Sequence, residues 1–222
     1  MFDWHPVFLS LQIAAMALLL DALAGVAMAR WMNRNRFVGQ SWLEAIFLLP
    51  LVLPPTVTGF VLLWLLGKRG PLGSLLDAMF GMQIIFTPGA AVLASALVAF
   101  PLMYQSAKAA FLSLDAQWED AAGVLGAAPS QVFRTITIPL AWPGLVAGAV
   151  LCFARALGEF GATVMVAGNI PGHTTTMPLA IYFASETGDL RLAGLYALAA
   201  GVLNLCFLLA LHAWLRRHQH YV

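Results

Sequence analysis

Five stretches of about 20 residues, each almost free of charge, constrain this chain more than any other feature. They lie near 7–29, 45–66, 89–111, 140–166 and 192–215. A helix needs about 20 mostly apolar residues to cross the hydrocarbon of a bilayer. A soluble domain keeps its surface wet with roughly 25% charged residues, and this chain has 9% against 61% hydrophobic. The expected fold is therefore an all-α membrane protein with five transmembrane helices, forming one domain over 7–215. No basic segment precedes the first apolar run, so that run is expected to be a retained span and not a cleaved leader.

Loop charges set the orientation, because Lys and Arg accumulate in short cytoplasmic loops. With the N-terminus outside, Arg30, Arg34, Arg36, Lys108, Arg134, Arg216 and Arg217 fall on the cytoplasmic side. Only Lys68, Arg69 and Arg191 then lie outside. An external N-terminus and a cytoplasmic C-terminus follow.

The second span contains Pro50, Pro54 and Pro55, followed by Thr56, Thr58 and Gly59. Proline lacks a backbone donor and clashes with the preceding turn, and freed carbonyls at membrane depth need neighbours or a watery cavity. The kink either lines a translocation path or packs against neighbouring helices. In the fourth span, Arg155 and Glu159 stand four residues apart and can pair on one helix face. A charge alone in lipid costs about 2.5–3.5 kcal/mol on insertion scales, so the pair is expected to face the bundle interior. It is either a polar lining for an anion or an internal pair that fixes packing. Asp21 in the first span has no basic neighbour in sequence and needs a neighbouring helix or a partner subunit. Glu44, at the cytoplasmic start of the second span, needs no special account.

Between the third and fourth spans, residues 115–138 predict two short helices. Asp115 can cap the first, Gly126 can end it in a left-handed turn, and Pro129 suits the first turn of the second. Val132, Phe133 and Ile136 recur at helical spacing as an apolar stripe, and Pro139 closes the loop before the fourth span. Such a helix pair either docks in a groove on a partner or lies on the lipid surface.

The chemistry that the sequence lacks narrows the classes. Cys152 and Cys206 lie in apolar runs and are expected to be buried small hydrophobes. His173, His212, His218 and His220 have no ligand spacing, so no metal site is expected. No nucleophile–base set supports an intramembrane enzyme, and the run Gly158-Glu159-Phe160-Gly161 lacks the strand–loop–helix setting of a nucleotide site. No half-repeat of the kind that builds secondary transporters is visible. No cluster of Lys and Arg marks a nucleic-acid face.

The run Asp120-Ala121-Ala122, then Gly126, Phe133, Ile136 and Ile138-Pro139, with Pro143-Gly144 beyond, resembles the EAA loop of ABC importer permeases. One departure is that Asp120 stands where that family usually has Glu, with Glu119 just before it. Leu49-Pro50-Leu51-Val52-Leu53-Pro54-Pro55-Thr56-Val57-Thr58-Gly59 resembles the second-span signature of the molybdate permeases. Phe153-Ala154-Arg155-Ala156-Leu157-Gly158-Glu159-Phe160-Gly161-Ala162-Thr163 and Asn169-Ile170-Pro171-Gly172 resemble their fourth-span signature. Sulfate and thiosulfate permeases share much of the latter but are typically longer, with an extra span.

The resemblance implies the type I ABC importer permease fold in a bacterial cytoplasmic (inner) membrane. It implies a subunit that moves molybdate, or a related tetrahedral oxyanion such as tungstate, and performs no chemistry on it. Glu119, Asp120, Ala121, Ala122, Gly126 and Phe133 would form the ATPase-coupling loop. Pro54, Pro55, Thr56, Arg155 and Glu159 would be pathway or gate candidates. The implied partners are a second permease copy, two ATPase subunits carrying ATP-Mg, an external oxyanion-binding protein and membrane lipid. No cofactor on this chain itself is implied.

Overall fold

The computed structural model describes residues 2–35 and 37–218, with side chains to residue 210. Arg36 and His220 lie outside these residues, as do the side chains of His212, Arg216, Arg217 and His218. The described residues form helices α1 (His5–Arg34), α2 (Gln40–Val52), α3 (Pro55–Leu66), α4 (Pro71–Phe80), α5 (Pro88–Leu112) and α6 (Ala116–Val124). Then follow α7 (Pro129–Val132), α8 (Ile138–Leu157), α9 (Gly161–Ala167), α10 (Met177–Glu186) and α11 (Leu190–His218). Among the described residues four helical segments are long and apolar enough to cross a membrane, or five if the bent pair α2–α3 is one span.

Helix α5 lies between α1 and α8, and small residues let the three approach closely. Where lipid tails are as apolar as leucine, such tight backbone packing replaces the hydrophobic drive that holds soluble helices together. Ala14, Ala17, Asp21, Gly25, Ala29 and Met32 follow one another at three- or four-residue steps on the buried face of α1. A Cβ on Gly25 would lie 3.2 Å from the Tyr104 backbone nitrogen of α5. On the far side of α5, added Cβ atoms on Gly144 and Gly148 would meet the Ala110 and Ser106 Cβ atoms at 2.6 and 2.5 Å. Helix α11 lies outside this core with most of its length exposed. For that reason Cys206 is exposed, against expectation, while Cys152 on α8 is buried.

Two expected spans differ in form from a single straight helix. The second is broken between Val52 and Pro55, and the helix axis bends there by 113°. Leu53 adopts extended backbone before Pro54, as the clash with a following proline ring requires. The fourth span is not continuous over 140–166: α8 ends at Leu157 and α9 starts at Gly161. There the Glu159 carboxylate accepts a hydrogen bond from the Ala162 backbone N–H at 2.8 Å. A side chain serving as a local cap competes with helix continuation in this way.

At its other end the fourth span starts earlier than expected. Helical backbone runs unbroken from Pro129 to Leu157, so Pro139 does not separate the loop from the span. A widened π-helical turn at Phe133–Thr137, with the Ile138 N–H bonded to the Phe133 carbonyl, adjoins that proline. Single π turns inserted in α-helices accommodate local irregularities of this kind.

Candidate functional site

The 115–138 loop is built from local chemistry. Asp115 is extended and its side chain accepts a hydrogen bond from the Gln117 N–H at 3.0 Å, which starts α6. The helix ends in a paired closure: the Gly126 N–H reaches the Gly123 carbonyl and the Ala127 N–H reaches the Ala122 carbonyl, both at 3.0 Å. This closure needs a left-handed residue at position 126, where glycine has φ +87°.

No residue of α6 is buried. What ties it down is Glu119, whose carboxylate receives Arg30 Nη1 at 2.8 Å, Arg30 Nη2 at 3.0 Å and the Thr137 hydroxyl at 2.6 Å. The Arg30 guanidinium holds the Glu119 carboxyl below the usual carboxylate range against the opposing effect of partial burial, with Thr137 and Arg34 adding to the shift. A carboxyl with a lowered folded pKa contributes stability above its unfolded value and loses it as pH falls through the folded one. The ion pair therefore persists at neutral pH.

Asp120, one residue on, is exposed, as are Ala121 and Gly126, while Ala122 is half-buried. The two neighbouring acids thus have different surroundings. The apolar stripe also falls differently from expectation. Val132 is buried and Phe133 and Ile136 are half-buried. Phe133 packs beside Phe111, ring centres 6.2 Å apart, and the Arg30 guanidinium sits 5.2 Å from its ring centre. This stripe seats the loop on its own bundle. The apolar groups facing outward are Trp118, Val124 and Leu125, exposed by 61, 89 and 87%. Their signal in the sequence was two apolar residues, Val124 and Leu125, just before a helix-ending glycine, and a tryptophan near the start of the same short helix.

The pathway candidates gather elsewhere. The bend of the second span nests against the break in the fourth: a Cβ on Gly161 would lie 2.9 Å from Pro55 Cβ and 3.4 Å from the Thr56 nitrogen. A Cβ on Gly59 would lie 2.8 Å from Ala162 Cα. Pro54 and Thr56 are exposed and Pro55 half-buried. Arg155 Nη1 meets Glu159 at 2.7 Å, with the glutamate side chain 1% exposed and the arginine 30%. Close by, Thr58 on α3 and Thr163 on α9 have buried hydroxyls without a protein partner. This junction and the 115–138 loop are at opposite ends of α8, whose 20 residues span about 30 Å.

Two more interhelical contacts answer or revise expectations. Asp21 accepts from the Cys152 thiol at 3.2 Å, so its partner is α8 of the same chain. Glu44 on α2 is bonded by Lys108 and, at 3.1 Å, by the Tyr104 hydroxyl. Both partners come from α5, which places Lys108 in an interhelical pair and not on a free loop.

These contacts join helices to one another. Comparison with known proteins identifies relatives of the chain. The chain is 49% identical over 203 residues to the putative molybdenum transport system permease protein YvgM of Bacillus subtilis (strain 168), covering 91% of this chain and 89% of that one. It is 44% identical over 185 residues to the molybdenum transport system permease protein ModB of Escherichia coli (strain K12), covering 83% and 81%. In fold it matches a chain of a bacterial alginate ABC transporter in complex with its pentasaccharide-bound periplasmic protein, with a TM-score of 0.78 at 17% identity, over 96% of this chain and 78% of that one. Residues 22–220 match the model described as binding-protein-dependent transport system inner membrane component. The chain belongs to that family and is a multi-pass membrane subunit for transport, not an enzyme.

Proposed function

We propose that this chain is the permease subunit of an ATP-driven importer of molybdate, with tungstate as the closest alternative cargo. Its identity to two permeases named for molybdenum transport, over most of each chain, carries that reading. ATP-Mg acts on a separate ATPase subunit, and two such subunits serve two copies of this permease. An external oxyanion-binding protein delivers the cargo and sets most of the choice between anions. Residues 7–215 act as one transmembrane domain in the cytoplasmic membrane, with the N-terminus outside.

Within this reading, the surface around Asp120, Ala121 and Gly126, extended by Trp118, Val124 and Leu125, enters the ATPase. Apolar groups left this exposed at a loop tip suit a groove in a partner. Glu119 and Phe133 act beneath that surface by holding the loop to the bundle. Pro54, Pro55, Thr56, Arg155 and Glu159 form the junction past which the anion moves. The Arg155 charge is largely met by Glu159, so the anion is passed on and not held.

Gly126→Asp tests the coupling role. An added Cβ meets nothing within 4 Å, so the cost is the left-handed backbone, about 1–2 kcal/mol, plus a charge on the docking surface. The variant is expected to reach the membrane at near-normal level while molybdate uptake by cells falls by more than about tenfold, since each 1.4 kcal/mol is a factor of ten. Normal uptake would remove the loop from the coupling path. Competition of molybdate uptake by excess sulfate separates the anion classes. Potent competition would move the cargo to the sulfate class.

The topology is tested separately. A single cysteine at position 123 should resist a membrane-impermeant maleimide in intact cells and react once the membrane is opened. Labelling in intact cells reverses the assigned orientation.

A further inference from the structure

Helix α6 has a weak covalent claim on the rest of the molecule. It follows α5 through the extended Asp115 and precedes α7 through the left-handed Gly126, and it buries no side chain. A push on such an element is absorbed by its two flexible ends unless something stiffer connects it to the spans. The structure offers one such connection, at Arg30. This side chain is 12% exposed and lies 89 residues from Glu119 in sequence. Its two terminal nitrogens hold the two Glu119 oxygens of α6, a fork geometry that fixes direction as well as distance. Its central carbon sits 6.0 Å from the ring centre of Phe111 at the end of α5 and 5.2 Å from that of Phe133 in the π turn leading into α8. Thr137, fully buried in the same π turn, donates to the same glutamate. One guanidinium thus touches the ends of α1 and α5, the start of the fourth span, and α6.

We propose that Arg30 is a positioning residue that carries displacement of α6 to α1, a helix with no covalent link to the loop. The proposal rests on α6 meeting an ATPase as argued above. Helix α1 is packed along its buried face against α5 and α8. Two routes therefore reach the bundle from one loop: a covalent one into α5 and α8, and the Arg30 route into α1. Docking strength lies with the exposed Trp118, Val124 and Leu125, and transmission lies with the half-buried pair below them. Loss of the pair should then separate ATP use from transport without releasing the ATPase.

The test uses the complete importer, with its ATPase subunits and binding protein, in proteoliposomes loaded with ATP and given molybdate outside. The readout is molybdate imported per ATP hydrolysed. Glu119→Gln keeps an acceptor for Thr137 and removes the ion pair. The expected result is co-purification with the ATPase and a ratio lowered at least about fivefold, the lower end of typical coupling between sites. The loss should fall on turnover at saturating binding protein and leave its half-saturating concentration in place. The exchange Arg30→Glu with Glu119→Arg should recover part of the ratio, which a simple loss of docking surface would not do. An unchanged ratio in Glu119→Gln overturns the proposal, as does loss of ATPase co-purification in Glu119→Gln that Arg30→Lys does not share. If the unaltered complex imports no molybdate or retains no ATPase, the functional reading fails, and Arg30 is not the cause.

Discussion

Arg155→Ala is expected to lower stability by about 3–5 kcal/mol, the range seen when one partner of a buried ion pair is removed. The reason is the partner left behind. The Glu159 side chain is 1% exposed, and without Arg155 its negative charge keeps, among the described residues, the Ala162 N–H. The reverse change should be milder. Glu159→Gln retains an oxygen for Ala162 and leaves a guanidinium that already has 30% of its side chain exposed. Arg155→Met combined with Glu159→Gln removes both charges at similar volume and should recover most of the loss. The measurement is the thermal midpoint of the detergent-solubilised protein together with its level in membranes. Equal midpoints for Arg155→Ala and the double variant would mean that the pair is not a buried unit. Uptake by the double variant then divides the two readings of the site. Normal uptake assigns the pair to packing, and poor uptake by a stable protein assigns Arg155 to the anion path.

The second large effect is steric. At Gly59 an added Cβ would lie 2.8 Å from Ala162 Cα and 2.9 Å from Met165 Cβ. The first of these is backbone, so no rotamer change relieves it, and α3 must move away from α9. Overpacking of this kind costs typically about 1–3 kcal/mol, and Gly59→Leu should reach the upper end. Membrane level and thermal midpoint should both fall, and uptake with them. Gly194→Ala is the matched control, because nothing lies within 4 Å of its added Cβ and its φ is not positive. That substitution should be neutral or stabilising by about 0.5–1 kcal/mol through helix propensity. A Gly59→Leu protein with the midpoint of this control would show that the α3–α9 contact carries no constraint.

Both effects fall where the helices are broken, and the sequence signalled the two breaks unequally. Proline acts on its own backbone and on its immediate neighbour, so the interruption at Pro54 and Pro55 was legible, although not its 113° angle. The interruption at 158–160 was not, because the apolar run continues through it. Its cause is a glutamate that caps the next helix while paired to an arginine one turn behind. The four-residue spacing of Arg155 and Glu159 suggested a pair within one helix. The observed pair joins the end of one helix to the turn before another.

The loop divides in the same way. Asp115, Gly126 and Pro129 act within a few residues of themselves, and their roles at helix ends were readable. The periodicity of Val132, Phe133 and Ile136 established that one face was apolar. It did not say what covers that face, and the cover is the chain's own Phe111 and Arg30.

By itself the sequence determined that the chain crosses a membrane as helices, that Pro54-Pro55 and Gly126 interrupt them, and which motifs it shares with importer permeases. These depend on hydropathy and on backbone chemistry, which act over a few residues. Only the tertiary structure decided that Glu119 meets Arg30, Glu44 meets Lys108, and Asp21 meets Cys152. The physical reason is range. A buried charge or hydroxyl must find a partner wherever packing brings one, and the close approach of α1, α5 and α8 brings together groups as far apart in the chain as residues 21 and 152.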